Sequence, residues 1–104
     1  MALAIQPADL EAQIAAGTGP AILDVRSALE YRRGHLPGAR HLAFWRALEG
    51  TVAVPREAPI VVYCGHGPRA WMAVAALRLR GFTNVGRLRG HMAAWRRERR
   101  PEER

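Results

Sequence analysis

Cys64, the one cysteine of the chain, stands between the apolar run Ile60-Val61-Val62-Tyr63 and the segment Gly65-His66-Gly67-Pro68-Arg69-Ala70. The run is rich in β-branched residues and is bounded by Pro59 and by the glycine-proline punctuation after the cysteine, so it reads as a fully buried central strand. Arg69 to Arg80 then reads as a helix. A thiol between a strand's carboxyl end and a helix's amino end lies where open α/β sheets bind ligands, beside roughly half a positive charge from the helix. Such a place favours thiolate over thiol, and the thiolate is the nucleophile. The chemistry to expect is therefore attack by sulfur with a covalent intermediate.

The segment after Cys64 is built to surround that sulfur. Glycines let the backbone curl tightly, and the amides of Gly65, His66, Gly67, Arg69 and Ala70 can converge on a sulfur or an anion. Pro68 has no N–H to offer, but its fixed φ suits the first turn of the following helix. A single cysteine excludes an internal disulfide, a multi-cysteine zinc cage and a resolving thiol within the chain. Whatever Cys64 acquires must leave to another molecule. A lone cysteine at a strand end is otherwise a small buried hydrophobe, and the loop is what favours the reactive reading.

Several neighbours have two readings. Arg69 either orients an anionic donor with its fixed charge and fork geometry or is a helix-start residue paired to a carboxylate. His66 either deprotonates or hydrogen-bonds an incoming molecule or faces solvent. His35, before Leu36-Pro37-Gly38, is expected to fix that turn by hydrogen bonds. His41 and His91 lack a paired ligand spacing, so no metal is expected. Trp45, Trp71 and Trp95 are too widely spread for a sequential stacking platform, and Trp71 is the best candidate for a pocket wall.

Alternating strands and helices must carry these residues. Pro7 to Ala16, with Leu10 and Ile14 four apart and Gly17 beyond, predicts a short amphipathic helix. Ala21-Ile22-Leu23-Asp24-Val25 predicts a second buried strand that places Asp24 near the Cys64 end. Ser27 and Glu30 fit a capping box for a helix through Arg33, closed by Gly34. Arg40-His41-Leu42 is a candidate short strand, Ala43 to Glu49 one helical piece, and Gly50 to Pro59 a connection. In the helix after Cys64, Met72, Ala75, Ala76 and Leu79 predict the apolar face, and Gly81 ends it. Asn84 to Leu88 predicts a last strand and His91 to Arg99 a last helix. This alternation implies parallel pairing through right-handed crossovers: one three-layer α/β domain spanning residues 1–104, with a charged, frayed tail from about residue 97.

The formal charge is +7, from 16 basic residues, all arginine, against 9 acidic ones. A basic surface attracts anions in general, but the densest run, Arg96 to Arg100, is mixed with Glu98, Glu102 and Glu103. That pattern fits a solvated helix end better than a phosphate stripe, so nucleic acid is not the expected partner. No apolar run approaches the ~18 residues of a membrane span, and Met1-Ala2-Leu3-Ala4-Ile5 lacks the features of a secretory signal. The cytoplasm is the expected location.

Cys64-Gly65-His66-Gly67-Pro68-Arg69 resembles the active loop of the rhodanese family, whose pattern is Cys-x-x-Gly-x-Arg/Ser/Thr. The resemblance extends to Leu23-Asp24-Val25-Arg26, to Glu30-Tyr31 leading into Gly34-His35-Leu36-Pro37-Gly38-Ala39, and to Leu88-Arg89-Gly90-His91 before Trp95. It implies a sulfurtransferase in which Cys64 takes a sulfane sulfur from a small anionic donor such as thiosulfate, becomes a persulfide, and passes the sulfur to cyanide, a thiol or a protein thiol. It implies no cofactor, and a structural role for Asp24 and Arg26 in supporting the loop region. Phosphatases of the Cdc25 type and arsenate reductases look similar, but their loop is one residue longer, and the tighter ring here disfavours a tetrahedral phosphate. The alternative from another class is a non-catalytic module that binds a partner or senses redox state; the intact loop argues against it. Two departures stand out: Gly90-His91 in place of the frequent Gly-Gly, and an arginine-rich end in place of the usual Gly-x-Pro. Neither the physiological donor and acceptor nor the oligomeric state follows from these residues.

Overall fold

The structure, a computed structural model, describes residues 4–47, 49 and 52–104. Its elements in chain order are β1 (Ala4–Ile5), α1 (Pro7–Ala16), β2 (Ala21–Asp24), α2 (Ala28–Arg33), β3 (Arg40–His41), α3 (Phe44–Ala47), β4 (Ile60–Tyr63), α4 (Pro68–Leu79), β5 (Val85–Leu88) and α5 (His91–Arg97). The strands form one parallel sheet in the order β1-β5-β4-β2-β3. The α/β class expected from the alternation holds. Leu48, Gly50 and Thr51, within the expected α3 piece and its connection, lie outside the described residues.

Alternation along β4 sorts the core into two halves. Ile60, Val62 and Cys64 belong to the cluster that includes Ala47 of α3 and Ala70, Ala73, Val74 and Leu77 of α4. Val61 and Tyr63 belong to the cluster of Leu10 from α1 and Met92 and Trp95 from α5, with Tyr31 of α2 packed against it. The sheet is thus covered on both faces, and β4, buried at every position, is its centre. Because every strand runs the same way, the carboxyl ends of β2, β4 and β5 deliver Asp24, Cys64 and the Gly90-His91 turn to one edge.

Three expectations are corrected. β1 had no counterpart in the sequence reading, because two residues carry no period of their own; it exists through its pairing with β5, Ala4 opposite Arg87 and Ile5 opposite Leu88. The buried face of α4 is Ala70, Ala73, Val74, Ala76 and Leu77, whereas Met72 and Leu79 are 50% and 89% exposed. Two stripes of helical period coexist in this alanine-rich helix, and the one of smaller residues lets it approach the sheet closely. The third correction concerns the carboxyl end. Instead of fraying from about residue 97, it folds back: Glu103 bridges His35 through paired backbone hydrogen bonds of 2.9 and 2.8 Å, and Trp95 Nε1 donates to the Pro101 carbonyl at 2.7 Å. Arg100 adds ion pairs to Glu11 and Glu98.

Candidate active site

Cys64 is 1% exposed and follows the last residue of β4 directly. Its Sγ accepts the Gly67 N–H at 2.9 Å, so the chain after the strand closes on the sulfur within three residues. Gly67 makes this possible with φ 142° and ψ −48°, a conformation that side-chain-bearing residues avoid. It is the N-cap of α4, Pro68 opens the helix, and Trp71 N–H donates to the Gly67 carbonyl at 3.0 Å. The sulfur therefore sits at the amino end of a 12-residue helix, as the sequence suggested.

The other side of the loop is sewn to the start of α5. Met92 N–H donates to the Cys64 carbonyl at 2.9 Å, and Ala93 N–H to that of Gly65 at 3.1 Å. The Cys64 N–H in turn donates to His91 Nδ1 at 3.3 Å. His91 is 3% exposed, and its φ of 55° lies in the left-handed region, a conformation that costs a residue with a side chain roughly 1–3 kcal/mol. Gly90 before it, at φ 74°, has no room for a side chain, since a Cβ there would fall 2.5 Å from that of Ala94. Sequence reasoning gave His91 no role beyond noting it where a second glycine is frequent, and that replacement was the available signal.

Burial, with the positive charges of Arg87 and His66 adding to it, pushes the His91 imidazole down to about 4 from an ordinary 6.5. His91 is therefore neutral at physiological pH, and since Nδ1 accepts, its proton is on Nε2. Between about 4 and 6.5 the unfolded chain binds a proton that the folded one refuses, so stability rises with pH across that window and is constant above it. We expect the wild type to lose stability faster than His91→Asn on acidification through this window, by at most about 1.4 kcal/mol per pH unit, in urea melts at a series of pH values.

Asp24, at the end of β2, is fully buried and makes a forked pair with Arg26, whose Nε and Nη2 lie 3.0 and 2.7 Å from its two oxygens. The Arg26 amide adds a third contact at 3.0 Å. Tyr63, opposite Asp24 in the β2–β4 register, donates its hydroxyl to the same carboxylate at 2.7 Å and accepts the Leu36 N–H at 3.1 Å. Burial and then the Asp24 charge push the Tyr63 hydroxyl well above its ordinary range, so it stays a donor. Arg26 Nη2 also holds the Gly34 carbonyl at 2.7 Å. The network ties the turn after α2 to the end of the strand that carries Cys64.

Arg69 spans from α4 to α2, with Nη1 and Nη2 at 2.7 and 3.2 Å from the two oxygens of Glu30. The carboxylate reading of Arg69 thus has its partner, and that hydrogen-bonded cation holds Glu30 down to about 2. Glu30 also completes the capping box with Ser27. On the opposite flank of α4, Trp71 is 52% exposed and the Arg87 guanidinium lies 4.3 Å above its ring, so Trp71 is not part of the core. His66 is exposed. His35 is buried, stacked on Tyr31 at 3.8 Å, with Nδ1 2.8 Å from the Tyr31 carbonyl, which ties it to α2 and the returning tail and leaves it outside the loop. The structure brings Cys64, Gly67 and His91 together, joins Asp24 and Arg26 to the end of the Cys64 strand through Tyr63, and leaves His35 on α2 and the tail, away from the loop.

A buried cysteine thus stands at the end of the central strand and at the start of a helix, with the Gly67 amide on its sulfur. The family model of the rhodanese-like domain matches residues 6–98, and the chain belongs to that family. It is 33% identical over 78 residues to the thiosulfate sulfurtransferase GlpE of Pseudomonas paraeruginosa, covering 75% of this chain and 71% of that protein. It is 30% identical over 100 residues to the probable adenylyltransferase/sulfurtransferase MoeZ of Mycobacterium tuberculosis, where it spans 94% of itself but only 26% of the relative. Among solved structures, the rhodanese-related protein of Thermoplasma volcanium superposes with a TM-score of 0.83 at 27% identity, covering 98% of each chain. The Alr3790 protein of Anabaena gives 0.87 at 29% identity, covering 95% of this chain and 81% of that one. No helix among the described residues is long and apolar enough to cross a membrane.

Proposed function

We propose that the protein is a sulfurtransferase that carries sulfane sulfur on Cys64. The observation that carries this reading is the Gly67 amide 2.9 Å from Sγ at the start of α4, a loop already closed around sulfur. The Cys64 thiolate attacks the sulfane sulfur of thiosulfate; the S–S bond of the donor breaks and sulfite leaves with its electron pair. An acceptor, either cyanide or a thiolate, then attacks the outer sulfur of the persulfide, and the electron pair of that S–S bond returns to Cys64 as thiolate. The two half-reactions need no cofactor and give ping-pong kinetics. The backbone from Gly65 to Ala70 stabilises the persulfide, Pro68 starts the helix behind it, and Arg69 adds a fixed charge held in place by Glu30. Asp24 and Arg26 support the strand end that carries this loop through Tyr63, and His35 fixes the turn after α2. The partners are a small anionic donor and a thiol or protein-thiol acceptor, in a reducing cytoplasmic setting, with neither nucleic acid nor membrane involved.

The test is thiocyanate formation from thiosulfate and cyanide. Wild type is expected to turn over with parallel double-reciprocal plots and Cys64→Ser to show none; transfer retained in Cys64→Ser removes the cysteine from the mechanism. Hydrolysis of para-nitrophenyl phosphate and reduction of arsenate are expected to be absent, since the four-residue spacing between Cys64 and Arg69 disfavours a tetrahedral phosphate at the bottom of the loop, whereas thiosulfate has only to bring its sulfane sulfur to Cys64 at the mouth.

A further inference from the structure

His91 enters none of the steps above, yet it touches the nucleophile's own backbone. Its Nδ1 takes the Cys64 N–H at 3.3 Å, and its Nε2 and Cδ2 lie 3.6 and 3.7 Å from where a Cβ on Gly67 would be. One imidazole therefore spans from the amide of Cys64 to Gly67, the residue whose N–H is 2.9 Å from Sγ. The residue is 3% exposed and sits at φ 55°, where glycine would be relaxed and a side chain is strained. A strained backbone that persists with its side chain sealed against a candidate nucleophile calls for a function at that point. The amides of Met92 and Ala93 already anchor the Cys64 and Gly65 carbonyls, so the imidazole is not required to hold α5 to the loop; what it adds is a fixed orientation for the peptide that leads into Cys64.

We propose that His91 is a positioning residue for sulfur transfer, its neutral imidazole fixing the Cys64 peptide through Nδ1 and bracing Gly67 so that the Gly67 N–H stays aimed at Sγ. It neither gives nor takes a proton in the reaction. Nδ1 is occupied by a donor that does not ionise, and the charged groups felt by the ring, Arg87 and His66, both oppose its protonation. The proposal rests on the reading of Cys64 as the sulfur carrier.

Two variants separate this role from packing. His91→Gly removes the imidazole and relaxes the backbone; His91→Asn tolerates the left-handed conformation and can still accept the Cys64 N–H through Oδ1. With thiosulfate as donor and sulfite release as the signal, His91→Gly is expected to stay folded, the relief of backbone strain offsetting part of the loss of a buried imidazole and of the acceptor of the Cys64 N–H. Its maximal loading rate should nevertheless fall about ten- to hundredfold at an unchanged half-saturating concentration, as expected when a reacting group loses its alignment. His91→Asn should recover much of that rate. In amide exchange followed by NMR, the Gly67 N–H should lose protection in His91→Gly and keep it in His91→Asn. A His91→Gly protein that loads sulfur at the wild-type rate, or keeps the Gly67 amide protected, overturns the proposal. If the wild type takes sulfur neither from thiosulfate nor from glutathione persulfide, the transfer reading fails instead. Gly67 exchange and the rate of Cys64 alkylation by iodoacetamide then still judge His91, since both are expected to change in the glycine variant and neither needs turnover.

Discussion

Replacing Asp24 by alanine is expected to destabilise the fold by about 3–5 kcal/mol, because it leaves the Arg26 guanidinium buried without its counter-charge. The same change strips the Tyr63 hydroxyl of its acceptor and frees the Arg26 fork that holds the Gly34 carbonyl. Against a total stability of roughly 5–15 kcal/mol for a domain of this kind, the loss should shift the urea midpoint far toward zero denaturant. Removing both charges together, as Asp24→Ala with Arg26→Met, should recover part of the loss, since the penalty comes from an unpaired buried charge. A midpoint in Asp24→Ala within about 1 kcal/mol of the wild type would show that the pair is not a structural anchor of this edge of the sheet.

Gly67→Ala is expected to have the largest effect on activity short of removing the cysteine. A Cβ at this position meets only ordinary contacts, His91 Nε2 at 3.6 Å being the nearest, so the obstacle is the backbone at φ 142° and not a clash. The variant must either hold a strained loop, at roughly 1–3 kcal/mol, or relax and draw its amide away from Sγ. The second outcome removes a preorganised donor from the reacting centre, and a single such donor is worth about a hundredfold or more in rate. Sulfite release from thiosulfate should fall by about that factor while the protein stays folded; a variant loading at the wild-type rate would mean that the Gly67 amide plays no part in transfer.

The centre of this molecule is legible because its signals are local. Val61 and Val62 within a bounded apolar run, and two glycines and a proline straight after Cys64, place the strand, the loop and the helix without any knowledge of the rest. The capping box at Ser27 and Glu30 is equally local and forms as expected. What was hidden depends on pairings across the chain. The contact of Cys64 with His91 joins residues 27 positions apart, and that of Arg69 with Glu30 joins residues 39 apart. The face of α4 was ambiguous for a different reason: alanines populate both stripes, and the choice is made by the sheet. The tail shows the same limit, since its arginines and glutamates look solvated until Trp95 and His35 supply the anchors.

The central claim is that Cys64 carries sulfur, and intact mass tests it most directly. The reduced protein would be weighed before and after incubation with thiosulfate, with Cys64→Ser alongside, and again after cyanide is added. The account predicts a gain of one sulfur atom in the wild type, none in Cys64→Ser, and its loss on addition of cyanide. A sulfur gained by Cys64→Ser, or a wild type that gains none from thiosulfate or from glutathione persulfide, would contradict it.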